Sequence, residues 1–540
     1  MAGHFLKTSA PLLFFLALAQ TSPRAAGVTV ITHGADGDVT GWVASMADAI
    51  PAYFGNQHSG FTTNFTVYTL KLTTDGHENY YYQWTRDRGT SPANTDTGEI
   101  IVKLDWSQMA ALGSEYDTST FVIAQLASSI FMQTNAISDL HGHALAEFPI
   151  HLIGHSRGGS VISQMSCLLG TNGVWVDHLT TLDPHPLNND GNDDFPFTTV
   201  DAPVHTYSNV LFHDNYYQTE GELTDPDGEP VAGTYIRNLN SEIINGGYNN
   251  TDSLSPYHSN VHLWYYGTIN LATPNTNDDD GTVVKIDSAT RKDWWVSAED
   301  SGQNAGFLYS LIGGGDRTST NAPLGSSSIV RGYNQYWDLG AGTSDNRTAV
   351  PSNNGTWPSL IKFDLTGNEV VAQGNSISTT YYYQYSGTSN LTLQAFLDPD
   401  LNPYNSNSIP VLAIHPPATG AGSVGYSTLA LSMTNVPPGT YCPYAKISDG
   451  IHTRYLYTPE LVQITPSFQP PVLGIQASGY DQCTVTINGV SGQVIILQSS
   501  TNLDIWTPIA TNTLTANTWY YTNSLPVNLQ FFRATAILNP

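Results

Sequence analysis

Apolar positions in the first half of the chain follow two alternating patterns: short apolar runs, and longer segments with apolar residues at helical spacing. The runs predict strands over 27–34, 99–106, 148–154, 178–183 and 203–212. The longer segments predict helices over 41–54, 118–134 and 158–170. Strands that alternate with helices indicate a mostly parallel sheet with helices on both faces. We therefore expect an α/β fold class for residues 27–310.

The pattern changes past about residue 310, where apolar and polar residues alternate and Gly and Pro punctuate the chain. Short strands at that spacing are typical of β-sandwiches. We expect a loop-rich connection over 311–355, a β-sandwich over 356–466 and a small β-module over 475–540. Residues 467–474 have the composition of a linker.

The first residues of the chain have the order of a targeting segment. Lys7 precedes an apolar run from Leu12 to Ala19, and small residues follow up to Ala26. This order predicts a signal peptide over 1–26, cut near Ala19 or Ala26. The run is too short to span a bilayer, and no later stretch is long enough either. We expect a secreted, extracellular or cell-surface protein without a transmembrane segment.

The length of the chain limits the number of domains, and its net charge excludes some classes of binding partner. A chain of 540 residues is too long for one ordinary core and favours about two to four domains. Its 45 acidic and 18 basic side chains give a formal net charge of -27. Such a surface repels nucleic acid and anionic lipid, so neither is expected as a partner. Three cysteines allow at most one disulfide, which excludes a disulfide scaffold.

One serine stands between glycines in the segment Gly154-His155-Ser156-Arg157-Gly158. An apolar strand is predicted before it and an amphipathic helix after it. This is the context of a G-x-S-x-G elbow, a strained strand-to-helix turn that exposes a nucleophilic hydroxyl. We interpret Ser156 as a nucleophile rather than as part of a structural turn.

A serine nucleophile needs two backbone N–H groups directed at the tetrahedral oxygen. Arg157, the residue after the serine, is in position to supply one of them. The other is expected from Gly34 or Ala35, in the segment "ITHGADGD" that follows the first predicted strand. The alternative for this segment is an ordinary turn at the end of a strand.

Two acids and two histidines are candidates to complete a triad in the chain order serine, acid, histidine. Asp183 ends the strand after the helix that follows the serine, and Asp214 ends the next predicted strand. His258 and His262 are four residues apart and share a face if the stretch is helical. His258 opens that stretch and is freer to reach the serine.

Three motifs together resemble the lipase branch of the α/β-hydrolase superfamily. They are "GHSRGG" over 154–159, "LDPHP" over 182–186 and the histidine and aromatic stretch over 255–270. The resemblance covers roughly residues 28–270, half of the chain. It implies an α/β-hydrolase fold, a serine nucleophile and action on carboxylic esters. The C-terminal modules resemble β-domains appended to secreted bacterial proteins.

The resemblance points to two different sets of triad partners. "LDPHP" is similar to the segment in which pancreatic-type lipases carry their acid, which implies Asp183. Those lipases also place two tyrosines six and seven residues after the catalytic histidine, and His258 has aromatic residues at both offsets. In filamentous-fungal lipases the histidine precedes a run similar to "HLWYYG", which implies His262, and the acid follows the later strand, which implies Asp214.

The preferred hypothesis is a secreted serine esterase of lipid metabolism that uses Ser156, Asp183 and His258 and requires no cofactor or metal. Its substrate would be a small-molecule, lipid or polymeric ester. One alternative is a depolymerase of polymeric esters tethered by the β-modules, and another is a non-catalytic adhesion or matrix protein with a vestigial hydrolase domain. Two acidic stretches, 188–194 and 398–402, have spacings found in cation loops but are better interpreted as solvated loops. Nothing in the sequence indicates acyl-chain length, a lid or the oligomeric state.

Overall fold

The computed structural model describes most of the chain after residue 26. The described residues are 27–57, 65–92, 99–189, 194–221, 225–249, 253, 255–270, 275–277, 283–294, 306–312, 347–351, 356–420, 422–458, 460–467, 470–478, 482–524 and 530–537. The predicted signal peptide over 1–26 and most of the predicted connection over 311–355 lie outside them.

A large mixed sheet of eight strands forms the centre of the N-terminal half. Its strands are β1 (Val28–Thr32), β2 (Thr66–Thr74), β3 (Tyr80–Arg88), β4 (Ile100–Asp105), β5 (Ile150–His155), β6 (Val176–Leu182), β7 (Val210–Tyr217) and β8 (Tyr235–Asn238). Their order is β3-β2-β4-β1-β5-β6-β7-β8. All neighbouring pairs are parallel except β2 and β3, which form an antiparallel edge. The predicted mostly parallel sheet of an α/β fold class is confirmed.

Helices cover this sheet on both faces, which explains its apolar strands. The helices of this half are α1 (Trp42–Gln57), α2 (Thr120–Phe131), α3 (Arg157–Thr171), α4 (Pro256–Ile269) and the short α5 (Ser288–Trp294). Helix α2 packs against α3, and α1 packs against α4. Every residue of β1, β5 and β6 is buried, as expected of central parallel strands covered on both faces.

Two parts of the sheet differ from the sequence-based prediction. The strand predicted over 203–212 begins only at Val210, because the preceding segment lies along α3 instead. There the Ser160 hydroxyl donates to the Ala202 carbonyl at 2.5 Å, and the Ser163 hydroxyl donates to the His205 carbonyl at 2.9 Å. In addition, β2 and β3 were not predicted, although they form one edge of the sheet.

Strands β9 (Asn275–Asn277) and β10 (Val283–Lys285) form a separate antiparallel pair. The C-terminal part that follows is built from β-sheets, as expected of a β-rich tail, and these form two modules. The first consists of β11 (Ser359–Leu365), β12 (Val370–Ala372), β13 (Ser376–Gln384), β14 (Thr392–Asp398), β15 (Ile409–Ile414), β16 (Gly425–Ser432), β17 (Gly439–Ser448), β18 (Thr453–Tyr457) and β19 (Val462–Thr465). The second consists of β20 (Val472–Ala477), β21 (Gln482–Asn488), β22 (Val494–Ser500), β23 (Thr507–Thr513), β24 (Thr518–Ser524) and β25 (Phe531–Ile537). The second is built from two three-stranded sheets around a small core of its own.

Buried polar contacts dock the first β-module onto the α/β domain. The guanidinium of Arg454, on β18, donates to the carbonyls of Ala146 at 2.8 Å and Trp175 at 2.7 Å. The indole N–H of Trp175 in turn donates to the Gln384 side chain at 3.1 Å. Burial lowers the pKa of Arg454 to about 10, which still leaves the side chain charged at neutral pH. This module is therefore part of one packed unit with the sheet.

Two further expectations concern membranes and cysteines. In the part of the chain that the structure describes, no helix is both long enough and apolar enough to cross a membrane. All three cysteines are described, and each is buried and outside any disulfide.

Candidate active site

Ser156 occupies a strained turn between β5 and α3. Its backbone has φ 57° and ψ -130°, a region that residues other than glycine rarely adopt and that costs about 1–3 kcal/mol. Hydrogen bonds fix this conformation: the Ser156 N–H donates to the Leu182 carbonyl at 3.0 Å, and the Gly159 N–H donates to the Ser156 carbonyl at 2.9 Å. The strand and the helix thus hold a serine in the geometry of a nucleophile elbow.

The two glycines that flank the serine are required by close backbone contacts. A Cβ on Gly154 would lie 2.3 Å from the Gly158 carbonyl oxygen. A Cβ on Gly158 would lie 2.4 Å from the His33 carbonyl oxygen. No side chain fits at either position without moving backbone, so the sequence pattern around the serine has a steric origin.

Asp183 follows β6 directly and is fully buried. Its Oδ2 accepts hydrogen bonds from His258 Nδ1 at 2.6 Å and from the Gln218 side-chain amide at 2.9 Å. Its Oδ1 accepts the Gln218 backbone N–H at 2.8 Å. Burial raises the pKa of Asp183, while the two bonds from Gln218 oppose that rise by favouring the carboxylate.

His258 lies in the first turn of α4 and is 6% exposed. Because the Asp183 carboxylate accepts at Nδ1, that nitrogen carries the proton and Nε2 is left as the basic nitrogen. The His258 ring lies beside the ring of His155, with centroids 4.3 Å apart. His155 immediately precedes the serine, so His258 packs against the elbow.

The alternative acid, Asp214, belongs to another network. It lies inside β7, not at its end, and its register partner on β6 is Thr180. Its carboxylate accepts from His178 Nε2 at 2.8 Å, from the Thr180 hydroxyl at 2.6 Å and from the Tyr216 hydroxyl at 3.0 Å. The sequence-based position at a strand end was wrong because β7 begins later than predicted.

The alternative histidine, His262, lies one turn further along α4. Its ring stacks on Trp42 with centroids 4.6 Å apart and an interplanar angle of 17°. It also meets the His155 ring edge to face at 4.8 Å. These contacts place it in the packing between α1 and α4, and the short contact to Asp183 is made by His258 instead.

The segment predicted to supply an oxyanion-hole donor lies directly against the serine. A Cβ added to Gly34 would lie 2.9 Å from Ser156 Oγ. Nε2 of the buried His33 accepts the Trp106 N–H at 3.2 Å, so Nδ1 carries the proton and donates to the Gly34 carbonyl at 2.9 Å. Burial lowers the pKa of His33, which favours this neutral form. Because the C=O and N–H of one peptide plane point in opposite directions, the Ala35 N–H points away from His33.

The backbone N–H and the side chain of Arg157 lie in different surroundings. Its N–H is in the first turn of α3, where helices leave donors unsatisfied. Its guanidinium is buried and donates to both oxygens of Asp201, at 2.7 and 3.0 Å, and to Asp117 at 3.2 Å. Burial lowers its pKa, but these carboxylates outweigh burial and the net pKa is raised. The side chain therefore anchors surrounding loops and does not point at the serine.

Three residues of the site were not found from the sequence. Gln218 follows β7, where the rule that catalytic groups gather at the carboxyl ends of parallel strands would have found it. His155 belongs to the Gly-x-Ser-x-Gly motif, but no sequence spacing indicates its hydrogen bond to the His258 carbonyl on α4. Asp225 contacts the start of α4 from a loop, and nothing in the spacing of "TDPDGEP" connects it to that helix.

Two acidic stretches, 188–194 and 398–402, have spacings found in cation loops. Among the residues that the structure describes, no three His, Cys, Asp or Glu side chains are arranged to hold a metal ion. Asp398 is buried and accepts a hydrogen bond from the Tyr457 hydroxyl. Of the stretch 188–194, residues 190–193 lie outside the described residues.

Comparisons with known proteins do not identify the chain. No family model and no curated protein matches it. Two solved structures similar to part of the chain are crystal forms 1A and 2 of a cytokine receptor complex, at 14% and 13% identity. Each covers 33% of this chain, with 84% and 91% of the other chain, at TM-scores of 0.15 and 0.14. Scores this low say nothing about the fold or the site.

Proposed function

We propose that this chain is an exported serine hydrolase of the α/β-hydrolase superfamily that cleaves carboxylic esters in the manner of a lipase. The observation that carries the proposal is the pairing of His258 with the buried Asp183 beside a serine in an elbow conformation. A buried carboxylate that accepts from Nδ1 of a histidine is the arrangement that prepares Nε2 as a base.

The reaction follows from the roles of these three side chains. Ser156 Oγ attacks the ester carbonyl carbon while His258 Nε2 removes the hydroxyl proton, which forms a tetrahedral intermediate. The protonated His258 then gives that proton to the leaving alcohol, and an acyl-enzyme forms. Water, activated by the same nitrogen, releases the acid and restores Ser156. Asp183 holds the ring in the required tautomer and stabilises its cation.

Backbone donors would stabilise the negative oxygen of the intermediate. The donors that we assign to this role are the Arg157 N–H, at the start of α3, and the Ala35 N–H, which follows the glycine that lies against Ser156. Removing one such donor in other enzymes costs about 10²- to 10³-fold in kcat. The positive end of α3 adds to this stabilisation.

Turnover of short-chain esters by the purified protein tests the proposal. Ser156→Ala should lower kcat by about 10⁴-fold or more, because the nucleophile is lost. Ser129→Ala, which removes an exposed hydroxyl bonded only to its own helix, should leave kcat unchanged. Turnover that survives Ser156→Ala refutes the proposal, and no turnover by the wild-type protein favours the adhesion or matrix alternative.

A second candidate substrate is an insoluble polymeric ester. The small C-terminal module presents large apolar side chains to solvent: Val472 is 65% exposed, Ile475 58%, Ile505 72% and Tyr520 68%. Such side chains favour adsorption to a hydrophobic solid. A chain that ends at residue 466 should then lose activity on polymer films and retain it on dissolved esters. Equal loss on both substrates contradicts a tethering role.

A further inference from the structure

The start of α4 receives its cap from a distant loop. The helix begins with Pro256, which has no N–H, and the preceding Ser255 makes no side-chain capping bond. The next two N–H groups both donate to Asp225: Tyr257 to Oδ2 at 2.8 Å and His258 to Oδ1 at 2.9 Å. Asp225 is only 4% exposed and precedes His258 by 33 residues. A single carboxylate therefore satisfies the first available donors of the helix.

Hydrogen bonds fix the backbone of His258 at both its N–H and its carbonyl group. Its N–H is bound by Asp225, and its carbonyl accepts from His155 Nε2 at 3.0 Å. Its ring is bound by Asp183 at Nδ1. With the backbone fixed, only two side-chain torsions remain, and the bond to Asp183 restrains both.

The loop that carries Asp225 also closes over Asp183. A Cβ on Gly228 would lie 2.1 Å from Asp183 Oδ1, and the Gly228 N–H donates to the Gln218 carbonyl at 3.0 Å. The segment 225–229 thus contacts both partners of the hydrogen bond between Asp183 and His258. A shift of this segment would move the acid and the histidine relative to the serine.

We propose that Asp225 is a positioning residue that sets the place of His258 relative to Ser156 through the backbone of α4. This inference rests on the proposed esterase function. Asp225 touches neither Ser156 nor the reacting atoms, and its effect on the reaction passes through His258. Geometry of this kind matters because a displacement of about 1 Å can cost about 100-fold in rate.

Steady-state kinetics on a dissolved ester test the inference with a matched control. Asp225→Ala should lower kcat by about 10- to 100-fold and leave KM within about twofold. Asp225→Asn keeps one acceptor oxygen and should retain an intermediate kcat. Asp287→Ala removes a similar cap, because Asp287 accepts the N–H groups of Ala289 at 3.0 Å and Thr290 at 2.8 Å at the start of α5. The kcat of the Asp287→Ala variant should equal that of the wild type.

A double-mutant cycle separates positioning from general destabilisation. In the His258→Ala background the general base is gone, so adding Asp225→Ala should not lower the residual rate further. Additive losses, or a kcat for Asp225→Ala equal to that of the wild type, overturn the inference. If Asp225→Ala does not fold, Asp225→Asn is used in the same cycle, with the same two outcomes.

Failure of this inference and failure of the proposed function give different results. If the protein is not an esterase, the wild type shows no turnover that depends on Ser156. If only the inference is wrong, wild-type turnover depends on Ser156 and His258, and the Asp225 variants retain full kcat.

Discussion

The contact between Gly34 and the serine gives a prediction with a magnitude taken from the structure. In Gly34→Ala the new methyl group would lie 2.4 Å from Ser156 Cβ, 2.9 Å from Ser156 Oγ and 3.1 Å from the His155 carbonyl oxygen. Non-bonded carbon atoms rest at about 3.5–4.0 Å. Moving from 2.4 Å to about 3.5 Å requires a relative shift of about 1 Å. A side-chain rotation cannot relieve this clash, because Ser156 Cβ and the His155 carbonyl oxygen move only when the backbone moves.

A shift of this size would separate Ser156 from the loop that carries the Ala35 N–H, a proposed oxyanion-hole donor. We expect kcat to fall by about 100-fold, which corresponds to about 2.7 kcal/mol in the activation free energy. KM should change little, because the substrate contacts away from the serine remain. The assay is steady-state hydrolysis of a dissolved short-chain ester, with the unfolding transition recorded in parallel to show that the variant is folded.

The control for this variant is Gly474→Ala in the small C-terminal module. The nearest atom to its added Cβ is Thr486 Cβ at 3.8 Å, an ordinary contact, so the same chemical change should leave kcat unaltered. A Gly34→Ala variant that is folded and has wild-type kcat would contradict the proposed role of the contact between Gly34 and Ser156.

Three more predictions address the acid, the domain contact and pH. Asp183→Asn should lower kcat by about 10³- to 10⁴-fold, because its amide would face Nδ1 and favour the wrong histidine tautomer; a loss below tenfold in ester assays contradicts the role of Asp183. Arg454→Ala should lower the free energy of unfolding by about 3 kcal/mol in urea titrations, because two buried carbonyls lose a charged donor. Arg533→Ala, on the surface of the small module, should change stability little, and equal effects would contradict the docking. Burial raises the pKa of Asp398 from 3.8 to about 7, so the folded state binds this proton more tightly than the unfolded state. Between about pH 4 and 7 this group therefore makes the wild type less stable as pH rises, by up to about 4 kcal/mol. Asp398→Asn should lack that slope, and equal slopes would contradict the shift.

The serine elbow could be predicted from the sequence because its determinants are local. The strand, the turn and the helix around Ser156 are adjacent in the chain, and the contact that requires Gly154 is made with Gly158 in the same turn. The α/β pattern was readable for the same reason, since apolar periodicity reports burial within each element.

The sequence could not distinguish the two candidate acids because their positions depend on where a strand begins. With β7 predicted over 203–212, Asp214 follows the strand and competes with Asp183. The strand is Val210–Tyr217, which places Asp214 inside the ladder opposite Thr180. The start of the strand depends on tertiary contacts that the sequence does not show. Hydroxyl groups on α3 donate to backbone carbonyls before Val210, so the strand begins at Val210 rather than at residue 203.

The role of Asp225 was beyond sequence reasoning for a similar reason. Its two hydrogen bonds join residues that are 32 and 33 positions apart in the sequence. Near α4 itself, the sign of a distant cap is that the helix starts with Pro256 and has no side-chain cap of its own. The docking of the first β-module was also unpredicted. A chain cut before β11 would lose Arg454 and expose its buried partners, so the test of tethering uses a chain that ends at residue 466.

The proposed role of Ser156 as a nucleophile activated by His258 can be tested by covalent labelling of the folded protein. The wild type would be treated with an active-site phosphonate, digested, and mapped by mass spectrometry. We predict one phosphonyl adduct on Ser156, and loss of that adduct in the folded His258→Ala variant. Ester turnover by a wild-type protein that carries no adduct on Ser156 would show that another residue is the nucleophile.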